Sequence, residues 1–325
     1  MNANVDMSPE MNASPVPQAI AATTASVRPF YWSVRRELWE NRSIYIAPIA
    51  VAALIFVSAL IHLGRLPEGA VPFYRLLEVS PHYLRLAGIG LYAIVGGILG
   101  VTAGFVGWFY CLDALYGERR DRSVLFWKSL PVSDVTTVLS KALTGMVVVP
   151  AVALVVGIAL FMALLLIASV LLMVNGVSGT LLIANTPFDE LLIVTLYVAI
   201  AAILWGAPLY AWAIFVSSWV RRATFLWALL PPAAIALVEA LAFGTEHFLT
   251  LVGQRISGGL EYAFVESVQL LRSEDGVDWS ELPPSLLSLL DPLRFLSQPG
   301  LWIGLAVAAA FIAGSIWMRR YREPL

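Results

Sequence analysis

Apolar residues run in long blocks along this chain, and short charged segments separate them. The blocks lie at roughly 43–63, 86–111, 142–173, 191–219, 223–243 and 300–318. Each matches or exceeds the ~18–20 residues a helix needs to cross about 30 Å of hydrocarbon. The predicted fold is an all-α integral membrane protein of about six transmembrane helices. No charged residue occurs between Lys141 and Asp189. That interval is expected to hold one long span and an uncharged turn around Asn175–Gly179. Spans three and four exceed one bilayer thickness, which predicts tilt or ends that project into water.

The segments between the blocks carry their own patterns. Residues 1–27 contain no Lys or Arg and are rich in Ala, Ser, Pro, Asn and Thr, so a disordered tail is expected. They do not read as a signal peptide, because the first apolar run begins late and follows an Arg-rich stretch. Residues 28–42 predict an interfacial elbow helix. Phe30, Tyr31, Val34, Leu38 and Trp39 recur at helical spacing, with Arg35, Arg36, Glu37, Glu40 and Arg42 between them. Trp32, Arg35, Arg36 and Trp39 are its candidate interface residues. Such a helix suits the headgroup layer, either as an anchor alone or also as a contact for a cytoplasmic partner.

Between spans five and six lies an outer-side segment, 244–299. Phe248, Val252, Ile256, Leu260, Phe264 and Val268 fall at i+4 steps and predict an amphipathic surface helix. Ser273–Pro284 is acidic and turn-rich, and Leu286–Leu296 suggests a second short helix. The segment can serve as a cap or as a gate over an exit path.

Composition sharpens the class. The chain is 59% hydrophobic and 13% charged, with mean hydropathy +0.81, far from the balance of a soluble domain. The single Cys111 excludes an intramolecular disulfide and reads as a packing residue. Enzymatic chemistry finds little support. A P-loop needs a Gly-rich loop ending in Gly-Lys, yet Lys128 and Lys141 follow Trp127 and Ser140. No zinc motif joins His62, His82 and His247. No catalytic residue, metal site or bound cofactor is expected, and no nucleic acid partner.

Charge placement predicts orientation. With the N-terminus inside, the inner segments collect Arg28, Arg35, Arg36, Arg42, Arg119, Arg120, Arg122, Lys128, Lys141, Arg221, Arg222, Arg319, Arg320 and Arg322. Both termini, including the 319–325 tail, are therefore expected in the cytoplasm.

Three further features stand out. The stretch 113–134 is a charged island between two spans, and its charges at Glu118, Arg119, Arg120, Asp121 and Arg122 are expected to face water. Gly96, Gly100 and Gly104 form a smooth stripe on span two, suited to close helix packing within the subunit or across a dimer seam. Glu239 is the one acidic residue predicted inside a span. It either marks a pathway or reaches headgroup water from the end of span five. Pro231-Pro232 should kink or break that span.

The island carries a resemblance. Glu118-Arg119-Arg120-Asp121, then Ser123, then Ser129-Leu130-Pro131-Val132-Ser133, with Lys141 opening the next span, resembles the ABC-2 type transporter permease family. Arg122 departs from the pattern where Gly is common. The elbow helix, the six-span permease domain (43–318) and the long outer segment extend the likeness over most of the chain. The resemblance implies a permease subunit of a bacterial inner-membrane exporter, whose island docks on a separate cytoplasmic ABC ATPase that binds ATP and Mg. It also implies a second permease subunit, in a homodimer or heterodimer, within the lipid bilayer. The docking residues would be Gly117, Glu118, Arg119, Arg120, Asp121, Arg122, Ser123, Leu130 and Pro131. Two other readings remain at this stage: a proton-coupled secondary transporter using Glu239, and a non-transporting scaffold that recruits a cytoplasmic protein.

Overall fold

The structure, a computed structural model, describes residues 29–63, 81–121, 132–174, 178–265, 272–273, 276–277 and 283–321. Six helices among them are long and apolar enough to cross a membrane, and the chain is a multi-pass, all-α membrane protein. Helix α1 (Pro29–Glu40) precedes the first span, α2 (Ser43–Leu63). The second span is α3 (Pro81–Asp113), followed by the short α4 (Tyr116–Arg120). The third combines α5 (Asp134–Leu143), a π-helical turn (Thr144–Val148) and α6 (Val149–Val174). After the small α7 (Thr180–Asn185) come the fourth span, α8 (Phe188–Trp219), and the fifth, α9 (Thr224–Phe243). Helices α10 (His247–Ser257) and α11 (Gly259–Ala263), a two-residue hairpin (β1, Arg272–Ser273; β2, Gly276–Val277), a 3-10 turn (Leu286–Leu289) and α12 (Pro292–Leu296) lead to the last span, α13 (Pro299–Tyr321).

Helices are the natural outcome here, because lipid offers the backbone no hydrogen-bond partner and each span must satisfy its own N–H and C=O groups. Helix α8 packs along α13, while α3 packs on α6 and α8, and α2 on α6 and α3. Small residues permit this. Ala207, Ala211 and Ala308 form the α8–α13 seam. At the α3–third-span crossing, a Cβ on Gly107 would lie 2.6 Å from the Gly145 carbonyl oxygen. Gly145 belongs to the π-helical turn and presses in turn on the buried Cys111 thiol. The close approach therefore lies at Gly107–Gly145. Around Gly96 and Gly100 an added Cβ would meet nothing within 4 Å, and at Gly104 only the Tyr210 hydroxyl, at 3.8 Å.

Helix α9 stands at the rim, with Ala228 its only buried residue. It continues through Pro231 and Pro232 as a single helix, so the expected break does not occur. Pro232 has no N–H to give to the carbonyl four residues back, which is that of Ala228. The Trp212 indole of α8 fills this vacancy, donating Nε1–H to the Ala228 oxygen at 3.0 Å. The turn before α9 places Ala223 at φ 55°, the left-handed region that non-glycine residues rarely enter.

The segment from 244 to 299 differs from the continuous helix expected in its first part. It breaks at Gly258-Gly259 between α10 and α11, and Ile256 faces outward while Arg255 turns in. The Arg255 guanidinium lies over the Trp205 ring at 4.5 Å and donates to the Gly300 carbonyl. Gly304 leaves it room, since a Cβ there would overlap the guanidinium. The predicted second helix also splits, into the 3-10 turn and α12, where the Asp291 carboxylate caps the Arg294 N–H at 2.9 Å and Pro292 takes the first turn.

Candidate functional site

Charged side chains that are far apart in sequence converge at one end of the bundle. Glu37 of α1 is 1% exposed. Its carboxylate accepts from Lys141 Nζ and from Arg36 Nη2, each at 2.8 Å, and from the Tyr110 hydroxyl at 2.7 Å. Glu118 of α4 is buried as well. It pairs with Arg36 at 3.1 Å, Lys141 at 3.2 Å and Arg319 at 2.6 Å. Arg319 reaches on to Asp134 at 3.0 Å. Three acids and three bases thus alternate across α1, α4, α5 and α13.

Local sequence explains how each group arrives. Helix α5 starts where Ser133 accepts the Thr136 N–H at 3.1 Å, an N-cap that fixes the helix start and aims Lys141 inward two turns later. Helix α1 presents Glu37 and Arg36 to the bundle and its aromatic residues Tyr31, Trp32 and Trp39 to the outside, with Glu40 exposed beside Arg36. Burial works against the Glu37 carboxylate, yet Lys141 above all, with Arg36 and the Tyr110 hydroxyl, holds it below the usual carboxylate range.

The predicted docking residues separate into distinct roles. Glu118 does not face water, contrary to expectation, because its carboxylate is the hub of the cluster. Arg119 reaches the C-terminus of α8, donating to the carbonyls of Ser217 and, at 2.8 Å, Val220, oxygens that a helix end leaves without intrahelical donors. Gly117 packs beside the Asp113 carboxylate. Arg120 and Asp121 are solvent-facing and pair with each other at 3.1 Å. Arg122, Ser123, Leu130 and Pro131 lie outside the described residues.

On α1, Arg36 joins the cluster, whereas Trp32, Arg35 and Trp39 form a separate outward stack, the Arg35 guanidinium 5.1 Å and 4.7 Å from the two ring centres. Sequence reading missed Glu37, Asp134, Tyr110 and Arg319 as partners. The available signal was a set of acids and bases each within a turn or two of a span end. Glu37 on the same helix as Arg36, and Arg319 at the end of the last span, fit it.

Glu239, at the other end of the bundle, is engaged locally. Its carboxylate accepts from Thr245 Oγ1 at 2.8 Å and from the backbone N–H groups of His247 at 2.9 Å and Phe248 at 2.8 Å. It therefore caps the first turn of α10 and fastens that helix to α9. Also at this end, Glu190 accepts from Arg85 at 3.0 Å and from the Leu286 N–H at 2.9 Å. Among the described residues no group of His, Cys, Asp and Glu could hold a metal ion.

No known protein family, curated protein or solved structure matches the chain.

Proposed function

We propose that this chain is the permease subunit of an ATP-driven exporter in the bacterial inner membrane, working with a separate cytoplasmic ABC ATPase and a second permease subunit. The observation that carries the reading is the Glu37–Lys141–Glu118–Arg319 cluster at the base of the charged island. A protein with an external energy source needs a surface that receives force and a stiff link from it to the spans. Breaking one member of a buried ion pair costs about 3–5 kcal/mol, so α1, α4, α5 and the end of α13 move as one unit. A partner that displaces the island would tilt spans two, three and six together, the rigid-body motion that alternating access requires.

The charged end would face the cytoplasm. It carries Arg119, Arg120, Lys141, Arg221, Arg222 and Arg319, the bias that governs insertion. Both termini would then lie in the cytoplasm. Docking falls to Arg120, Asp121 and the residues that follow, since Glu118 and Arg119 are engaged inside the protein.

The test is affinity capture of the chain from its native membrane, followed by an ATPase assay on what is retained. We expect an ATPase to be recovered with the wild-type chain and lost from the Arg120→Glu/Asp121→Arg variant, whose melting temperature stays unchanged. Recovery of no ATPase at all would overturn the permease reading. Glu239→Gln separates the proton-coupled alternative. The capping role found for Glu239 supports continued transport in that variant, and its abolition would favour the secondary transporter.

A further inference from the structure

Helix α1 sends its charged pairs inward and leaves an aromatic face outward, and that outward face has the chemistry of a lipid-phosphate site. Tyr31, Trp32 and Trp39 are 56%, 52% and 66% exposed. Between the two indoles lies the Arg35 guanidinium, stacked on both. Its neighbours in sequence are committed elsewhere: Arg36 binds Glu37, Glu40 and Glu118. No carboxylate among the described residues pairs with Arg35. The helix thus holds a cation in fixed orientation on an apolar, outward-facing platform.

We infer that Trp32, Arg35 and Trp39 form a binding site for the phosphate of an anionic phospholipid. Position supports this occupant. Helix α1 ends at Glu40 and the first span begins at Ser43, so the stack sits where the hydrocarbon ends. Ile46 and Ile49, in the first turns of that span, are exposed as well. Indole rings are most stable at this depth. The guanidinium fork matches phosphate geometry, and it is held against the two rings, so little side-chain freedom remains to be lost on binding. A headgroup with no amine of its own leaves the phosphate charge fully available to Arg35, which is why an anionic lipid is preferred over a zwitterionic one. The inference is independent of the transport reading. It requires only that α2 spans the membrane.

The experiment uses the full chain in bilayer nanodiscs containing brominated phosphatidylglycerol or brominated phosphatidylcholine at matched mole fractions, with tryptophan fluorescence quenching as the readout. The wild-type chain should be quenched at lower mole fraction by the brominated phosphatidylglycerol. Arg35→Gln keeps both indoles as reporters and should reduce that preference about fivefold, the factor expected for one basic residue at a membrane surface. Arg35→Lys, which keeps the charge without the planar stack, should fall between them. Trp32→Ala/Trp39→Ala keeps the other nine tryptophans, whose quenching remains, and should lose the preference for the anionic lipid. Equal quenching of the wild-type chain by the two lipids would overturn the inference, as would an unchanged preference in Arg35→Gln. So would iodide quenching of Trp32 and Trp39, read as the difference between the wild-type chain and Trp32→Ala/Trp39→Ala, that exceeds the same difference for either lipid, because the face would then lie in water.

Discussion

The Glu118 carboxylate accepts from the Arg319 guanidinium at 2.6 Å across 201 residues of chain. The contact closes the charged end of the bundle: the helix after span two is held against the last turn of span six, with Lys141 of span three touching the same carboxylate. The described ends of the charged island are therefore part of the packed structure.

Lys141 bridges Glu37 and Glu118, so removing it leaves two buried acids short of a partner. Lys141→Met should destabilise the protein by about 3–5 kcal/mol, read as loss of melting temperature in detergent. Pairing it with Glu37→Leu should recover part of that loss, because the stranded carboxylate goes too. A double variant as unstable as the sum of its parts would show that the two residues act separately.

Acid should loosen the same end. Glu37 titrates below the ordinary glutamate value in the folded protein, so its contribution is fully present above about pH 4.3 and is lost as pH falls through the depressed value. Melting curves from neutral pH downward should show a drop below that point, smaller in Glu37→Gln, which starts less stable and has no carboxylate to protonate. An identical acid response in the variant would assign the drop to other groups.

The glycines of span two should divide by position. Gly107→Ala drives a methyl group into the Gly145 carbonyl, and overpacking of that kind costs about 1–3 kcal/mol. Gly100→Ala meets open space and should leave the melting temperature of the isolated subunit within the range of a surface change, about 0.5 kcal/mol. A shift in the monomer–dimer ratio of Gly100→Leu, by cross-linking in membranes, would locate a subunit seam there.

The Trp212 indole donates to the Ala228 carbonyl, whose ordinary donor in the helix is missing at Pro232. Trp212→Phe retains the ring packing and removes the N–H, at an expected cost of about 1 kcal/mol. In Trp212→Phe/Pro232→Ala the helix supplies its own donor, and the penalty should disappear. Persistence of the full loss would point to packing instead of the hydrogen bond.

Hydrophobic length alone determined the main architecture of this protein. Blocks such as 43–63 and 223–243 coincide with α2 and α9 within a residue or two, because the bilayer imposes a minimum length and forces every backbone group into a helix. Burial of Cys111 was also legible. The tertiary structure decided which polar residues lie inside. Glu37, Glu118 and Lys141 look like any charged flank, and only the convergence of four chain segments turns them into a buried network. Gly100 and Gly107 are likewise indistinguishable by composition, and the neighbour each one meets sets the difference. Pro231-Pro232 permitted either a broken or a continuous helix, and an indole donor on the adjacent span sustains the continuous one. Span length is a property of one segment against a solvent, whereas charge pairing and close packing belong to pairs of segments, so a linear reading reaches the first and not the second.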